Sequence, residues 1–151
     1  MNIVIIGHVC IDYNLSENTK YIAAGGPAVF INRIYRRFAD VNVRVISPYG
    51  HDFYNYKAEL DLIPIKPDRS KTLSYENISS GNNRQQKACN REYALPLPQD
   101  KEIKQTIAAA DIIYFAPLTP DYSSRYIVSL MAGAAKKSLK ITETFSEKFQ
   151  K

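Results

Sequence analysis

The chain has 151 residues, a formal net charge of +5 and 45% apolar residues. It is long and apolar enough for one domain with its own core, which excludes a disordered chain. No apolar run approaches the roughly 20 residues of a membrane helix, and Met1-Asn2 with Ile3 to Ile6 lacks the basic start and longer apolar stretch of a secretory leader, so a cytoplasmic protein is expected.

Basic residues gather only at Arg33, Arg36 and Arg37 and at Lys136 and Lys137. These fit a solvated helix face and a helix C-terminus that favours cations. No nucleic-acid-binding motif accompanies them, so neither nucleic acid nor a membrane is expected as a partner. Cys10 and Cys89 lie far apart and are expected to be free thiols.

Ile3-Val4-Ile5-Ile6 is a continuous apolar run, as in a strand covered on both faces. Val9 to Leu15 and Lys20 to Ala23 read as short extended pieces. Pro27 fits the first position of a helix, where its missing N–H costs nothing. Phe30, Ile34 and Phe38 recur every four residues, with Ile31 and Tyr35 beside them and the arginines opposite, which predicts an amphipathic helix with that stripe inward. Val43 to Ile46 reads as a second central strand, stopped by Ser47-Pro48. Phe53 to Leu62 is expected to be helical.

Thr72 to Ile78 and the polar segment Arg84 to Tyr93 flank the turn Ser79-Ser80-Gly81-Asn82-Asn83, which predicts a projecting β-hairpin. Asp100 can cap a helix carrying Ile103, Ile107 and Ala110. Ile112 to Phe115 is a third central strand, and Asp121 starts a helix with Ile127, Leu130, Met131 and Ala134 inward. Leu139 to Thr142 reads as a fourth strand, and 143–151 as a polar, frayed tail. Strands alternating with helices predict a three-layer α/β/α domain over 1–142 around a mainly parallel sheet, with 72–93 as the projecting hairpin.

The chemistry-bearing residues are few. Gly7 is not followed by the glycine spacing of a dinucleotide fingerprint, and no Gly-Lys-Ser/Thr phosphate loop occurs. His8 and His51 lack metal-ligand companions at zinc spacing. Cys10 beside His8 reads as a buried cysteine rather than a nucleophile, and no Gly-x-Ser-x-Gly elbow is present. What remains is a corner. Asp12 follows the first strand, and Gly25-Gly26 opens a helix whose free N–H groups point back at the pair. A carboxylate facing such a corner can grip the hydroxyls of a polyol.

Taken in order, these pieces resemble the N-terminal half of the PfkB, or ribokinase-like, family of sugar and nucleoside kinases. The resemblance rests on the strand with Gly7 and Asp12, the doublet Gly25-Gly26, the strand leading to Ser47-Pro48-Tyr49-Gly50-His51-Asp52, the hairpin from Thr72-Leu73-Ser74-Tyr75-Glu76-Asn77 to Arg84, and the strand Ile112 to Phe115 after Ala110-Asp111. It implies a ribokinase-like fold, in part, in which Asp12, Gly25 and Gly26 bind substrate hydroxyls under the hairpin as a lid. Cys10 and Asn77 join the expected substrate site. Cys10 stands two residues before Asp12, where many members carry Asn. Pro27-Ala28-Val29-Phe30 departs from the family's pattern after the doublet, with Asn32 following later.

The resemblance also implies an enzyme that moves the γ-phosphate of ATP, with Mg, to a hydroxyl of a small sugar or nucleoside, and a homodimer through the lid. Members are roughly twice as long, and their Gly-Ala-Gly-Asp-like anion hole with the catalytic base lies in the other half. This sequence contains no Gly-x-Gly-Asp, so no catalytic residue is assigned, neither ATP nor Mg is expected to bind this chain alone, and the chain alone is expected to be inactive. A non-catalytic polyol-binding module and a Rossmann-like nucleotide-binding domain unrelated to kinases are the rival readings.

Overall fold

A computed structural model describes residues 1–122, 124–131 and 138–141. In chain order the elements are β1 (Asn2–Gly7), β2 (Cys10–Ser16), β3 (Lys20–Gly25), α1 (Pro27–Tyr35), β4 (Asn42–Ile46), β5 (Leu62–Ile63), β6 (Ser74–Ser80), β7 (Asn83–Cys89), α2 (Lys101–Ala109), β8 (Ile112–Ala116), α3 (Ser124–Met131) and β9 (Ser138–Ile141). Three-ten turns occupy His51–Glu59 and Arg91–Tyr93.

The apolar runs form one parallel sheet in the order β5-β4-β1-β8-β9. β1 sits at its centre, and alternate side chains serve two cores. Ile3, Ile5, Val43 and Val45 pack with Ala28 and Val29 of α1. Val4, Ile6, Ile46, Ile113 and Phe115 pack with Ile103 and Ile107 of α2 and Leu130 of α3. The domain is therefore the expected α/β/α sandwich. Asp100 caps α2 as its position suggests, Oδ1 accepting from the Ile103 N–H at 2.8 Å. The expected inward side chains of Met131 and Ala134, the Lys136-Lys137 pair, Thr142 and the tail 143–151 lie outside the described residues.

The stripe expected to face the core does the opposite. Phe30, Ile34 and Phe38 are 53%, 58% and 58% exposed. Ala28, Val29 and Asn32 face the sheet instead. Small residues let α1 lie close on β1 and β4, and Ile31 and Tyr35 cover the flank. Asn32 has a bond to earn its burial: Nδ2 donates to the Glu59 carbonyl at 3.0 Å, tying α1 to the 51–59 turn. That segment is a three-ten turn feeding β5 rather than an α-helix to Leu62.

The hairpin β6–β7 forms as expected and belongs to a second sheet. The pieces around Asp12 and Lys20 are full strands, and β2 pairs antiparallel with β3 and parallel with β6. The result is a second, four-stranded sheet in the order β3-β2-β6-β7. A lone hairpin is marginal in water, and the ladder from Ile11–Ser74 to Ser16–Ser79 removes that weakness. Leu73, just before β6, is buried with Cys10 and Ala94.

Candidate functional site

Ligands of open α/β sheets collect beyond the carboxyl ends of the strands. β1 ends there at Gly7, where a Cβ would stand 2.2 Å from the Ala116 carbonyl oxygen, so only glycine lets β1 and β8 close up. His8 then turns inward. Its Nε2–H donates to the Ala94 carbonyl at 2.8 Å and its Nδ1 accepts the Leu118 N–H at 2.8 Å. Both ring nitrogens are thereby committed, and burial pushes the pKa down to about 4. His8 is a neutral strut between two loops and has no free nitrogen for proton transfer. Ser47 braces the same crossing, Oγ accepting the Val9 N–H at 2.9 Å and donating to the Pro48 carbonyl at 3.1 Å. Thr72 does so for the next loop, accepting from the Gly50 N–H at 2.9 Å and donating to Asp52 at 2.6 Å.

On this frame β2 and β3 bring the expected corner together. Cys10 lies opposite Gly25, and Asp12 opposite Ala23. Asp12 Oδ2 lies 2.0 Å from the point a Cβ on Gly25 would occupy. The carboxylate thus fills the space that glycine leaves. Gly26 has φ +92°, a conformation that side chains avoid, and a Cβ there would meet the His8 carbonyl oxygen at 2.6 Å. α1 starts immediately after it at Pro27.

The Cys10 thiol donates to Asp12 Oδ1 at 3.4 Å. Burial and the neighbouring carboxylate push its pKa far up, so it serves as a donor and not as a thiolate nucleophile. Asp12 is half-buried, and desolvation raises its pKa, while the Cys10 bond, the Arg84 charge and the Asn77 amide pull the other way. A ligand hydroxyl donating to this carboxylate would add to that second group of effects. Asn77 is buried on β6, and its Nδ2 donates to Asn14 Oδ1 at 3.2 Å. The structure places Asp12, Gly25, Gly26 and Cys10 at one point, with Asn77 farther along the same face.

Sequence reasoning missed Asn14, Arg84 and the two struts His8 and Ser47. Alternation from Asp12 would have placed Asn14 on its face; nothing local marks Ser47. Asn32, which follows the glycine doublet on α1, donates to the Glu59 carbonyl rather than reaching this corner. Among the described residues no group of three His, Cys, Asp or Glu side chains could hold a metal ion, and no helix is long and apolar enough to cross a membrane.

No protein-family model matches the chain, and no curated protein matches it in sequence. Solved structures do match in fold. Fructokinase from Halothermothrix orenii superposes with a TM-score of 0.69 at 17% identity, over 93% of this chain and 56% of that one. A pyrophosphate-dependent kinase in the ribokinase family gives 0.66 at 20% identity, over 91% and 49%. Adenosine kinase from Anopheles gambiae gives 0.68 at 12% identity, over 92% and 54%. The chain spans about half the length of the structures it matches. Over that span it has the ribokinase-like fold shared by PfkB sugar and nucleoside kinases.

Proposed function

We propose that the chain is the substrate-side, N-terminal half of a sugar or nucleoside kinase of the PfkB type. Residues 1–142 form that unit and 72–93 its lid. The observation that carries the reading is the seat of Asp12: a carboxylate packed into the Cβ space of Gly25, at the carboxyl end of the parallel sheet. Two vicinal hydroxyls can donate to its two oxygens, and the four-stranded sheet offers a face to close over them. The ribokinase-family neighbours include one solved with a pyrophosphate analog and myo-inositol, a polyol.

In this reading the chain's own residues bind and orient. Asp12 accepts from the substrate hydroxyls, Cys10 steadies the carboxylate, and Gly25 and Gly26 let the ligand approach the backbone. ATP with Mg would supply the phosphoryl group in the whole enzyme. The described residues include no metal-holding cluster and no Gly-x-Gly-Asp, so no transfer step is assigned to this chain.

Calorimetry of the purified chain against a panel of sugars, polyols and nucleosides tests the reading. At least one should bind, and Asp12→Ala should weaken it about tenfold or more, the equivalent of one charge-assisted hydrogen bond of about 1.5 to 3 kcal/mol. Equal affinity in both proteins would assign Asp12 to structure alone.

A further inference from the structure

The second sheet presents one continuous polar face. Side chains alternate along a strand, so Asp12, Asn14 and Ser16 share a side of β2. The register sets Asn14 beside Asn77, and Asn77 beside Gln86. Arg84, two residues from Gln86, projects from that same side.

Asn77 is the hub of this face and is 4% exposed. Besides its bond to Asn14, its Oδ1 accepts from Gln86 Nε2 at 2.8 Å and from Arg84 Nη2 at 3.3 Å. An amide whose oxygen takes two donors and whose nitrogen meets a carbonyl has one orientation. It therefore holds Arg84 in place through a neutral partner.

Arg84 has five N–H donors in a fixed fork, and one is used here. Among the described residues no carboxylate lies within ion-pairing distance of it. Glu17, at the tip, accepts from Ser80 at 3.1 Å, and Glu76 alternates onto the opposite side of β6. An open cavity of about 360 Å³ lies beside the guanidinium, lined by Asn14, Ser16, Tyr21, Asn77 and Arg84 among others, none of them acidic. A cation tethered to a neutral amide, facing a cavity with no acid in its lining and sensing only the more distant Asp12 carboxylate, suits an anion.

We propose that Arg84 recognises an anionic group on the ligand whose hydroxyls Asp12 holds, so that the substrate class is a polyol bearing a phosphate or a carboxylate. The proposal rests on the hydroxyl-binding reading of Asp12 and adds the second end of the ligand. Asp12 supplies acceptors at the base of the face, and Arg84 supplies donors farther out. Asn77 lies between them and supports both. It is a positioning residue for Arg84.

The test titrates the whole chain with three matched ligands: a neutral hexose, its 6-phosphate and the corresponding hexonic acid. Wild type should bind one of the two anionic ligands at least tenfold more tightly than the neutral sugar, and which one identifies the anion. Arg84→Gln should erase that preference, read as the ratio of anionic to neutral affinity, because the Arg84 charge also acts on Asp12 and can move both affinities together. Arg84→Lys should keep part of the preference and steepen nothing else. Neutral binding that depends on Asp12, with no anionic preference or with a preference that survives Arg84→Gln, overturns the proposal and leaves the hydroxyl reading intact. Inorganic phosphate is titrated as a control, and its binding at Arg84 with no binding of any of the three polyols overturns both readings, because the two ends would not share a ligand.

Discussion

Asp12 and Gly25 occupy one another's space: the carboxylate oxygen lies 2.0 Å from where any β-carbon at position 25 would stand. Gly25→Ala therefore cannot be accommodated without moving Asp12, whose oxygen is also fixed by Cys10. Overpacking of this kind costs about 1–3 kcal/mol in stability. The expected outcome is a folded protein with a lowered melting temperature and polyol affinity reduced as far as in Asp12→Ala. Thermal unfolding and calorimetry on the same sample check both. Retained affinity would show that the carboxylate and the glycine act independently.

His8 makes stability depend on pH. Its folded pKa is about 4 against an ordinary 6.5, because burial disfavours the imidazolium. The unfolded chain thus binds the proton more readily than the folded one between those values. Stability falls as pH drops from about 6.5 to about 4, by about 3 kcal/mol for this group alone. His8→Gln should flatten that stretch of the profile. Denaturant unfolding at pH 7, 6, 5 and 4.5 on both proteins measures it.

The two thiols should differ in reactivity. Cys10 is buried with a pKa pushed far up, whereas Cys89 is half-buried at the end of β7. Iodoacetamide at pH 8 should label Cys89 first, with Cys10 labelled only in denaturant. Mass spectrometry after timed quenching resolves the two. Early labelling of Cys10 would mean that the corner opens.

Within this chain the second sheet ends at β3 on one side and β7 on the other. Such edges invite pairing, and β7 is almost wholly exposed. If two copies pair through β7, the dimer should disappear when residues 74–89 are replaced by a short Gly/Ser linker. Sedimentation velocity on both proteins reads the result. A dimer that survives the replacement places the interface elsewhere.

The parallel sheet was legible because its central strands are short and mostly apolar: Ile3 to Ile6 and Ile112 to Phe115 without a charge, and Val43 to Ile46 broken only by Arg44. The corner was legible because glycine doublets and lone carboxylates carry local meaning. The four-stranded sheet was not. Its ladder joins Asp12, Asn14 and Ser16 to Tyr75, Asn77 and Ser79, polar residues whose pairing depends on where distant chain arrives. The orientation of α1 was also hidden. Periodicity finds a helix with an apolar side, but Ala28 and Asn32 take the sheet side because close approach favours small residues and the Asn32 amide nitrogen reaches the Glu59 carbonyl, although its oxygen finds no partner among the described residues. His8 was noticed as lacking metal partners; its role follows from Ala94 and Leu118, which no local pattern connects to it.

The central place of β1 has a consequence for how the molecule comes into being. Made ahead of both its neighbours, it must wait for them: Ile3 pairs with Val43 on one side and with Ile112 on the other. While the chain is being synthesised, Ile3 to Ile6 have no β8 to shield them until about three quarters of these residues have emerged. Loop closure over such separations is slow, and unpaired apolar strands are prone to associate in the meantime. The pairing of β1 is thus completed late in synthesis, and the corner at Asp12 follows directly on a strand whose second neighbour arrives from more than a hundred residues away.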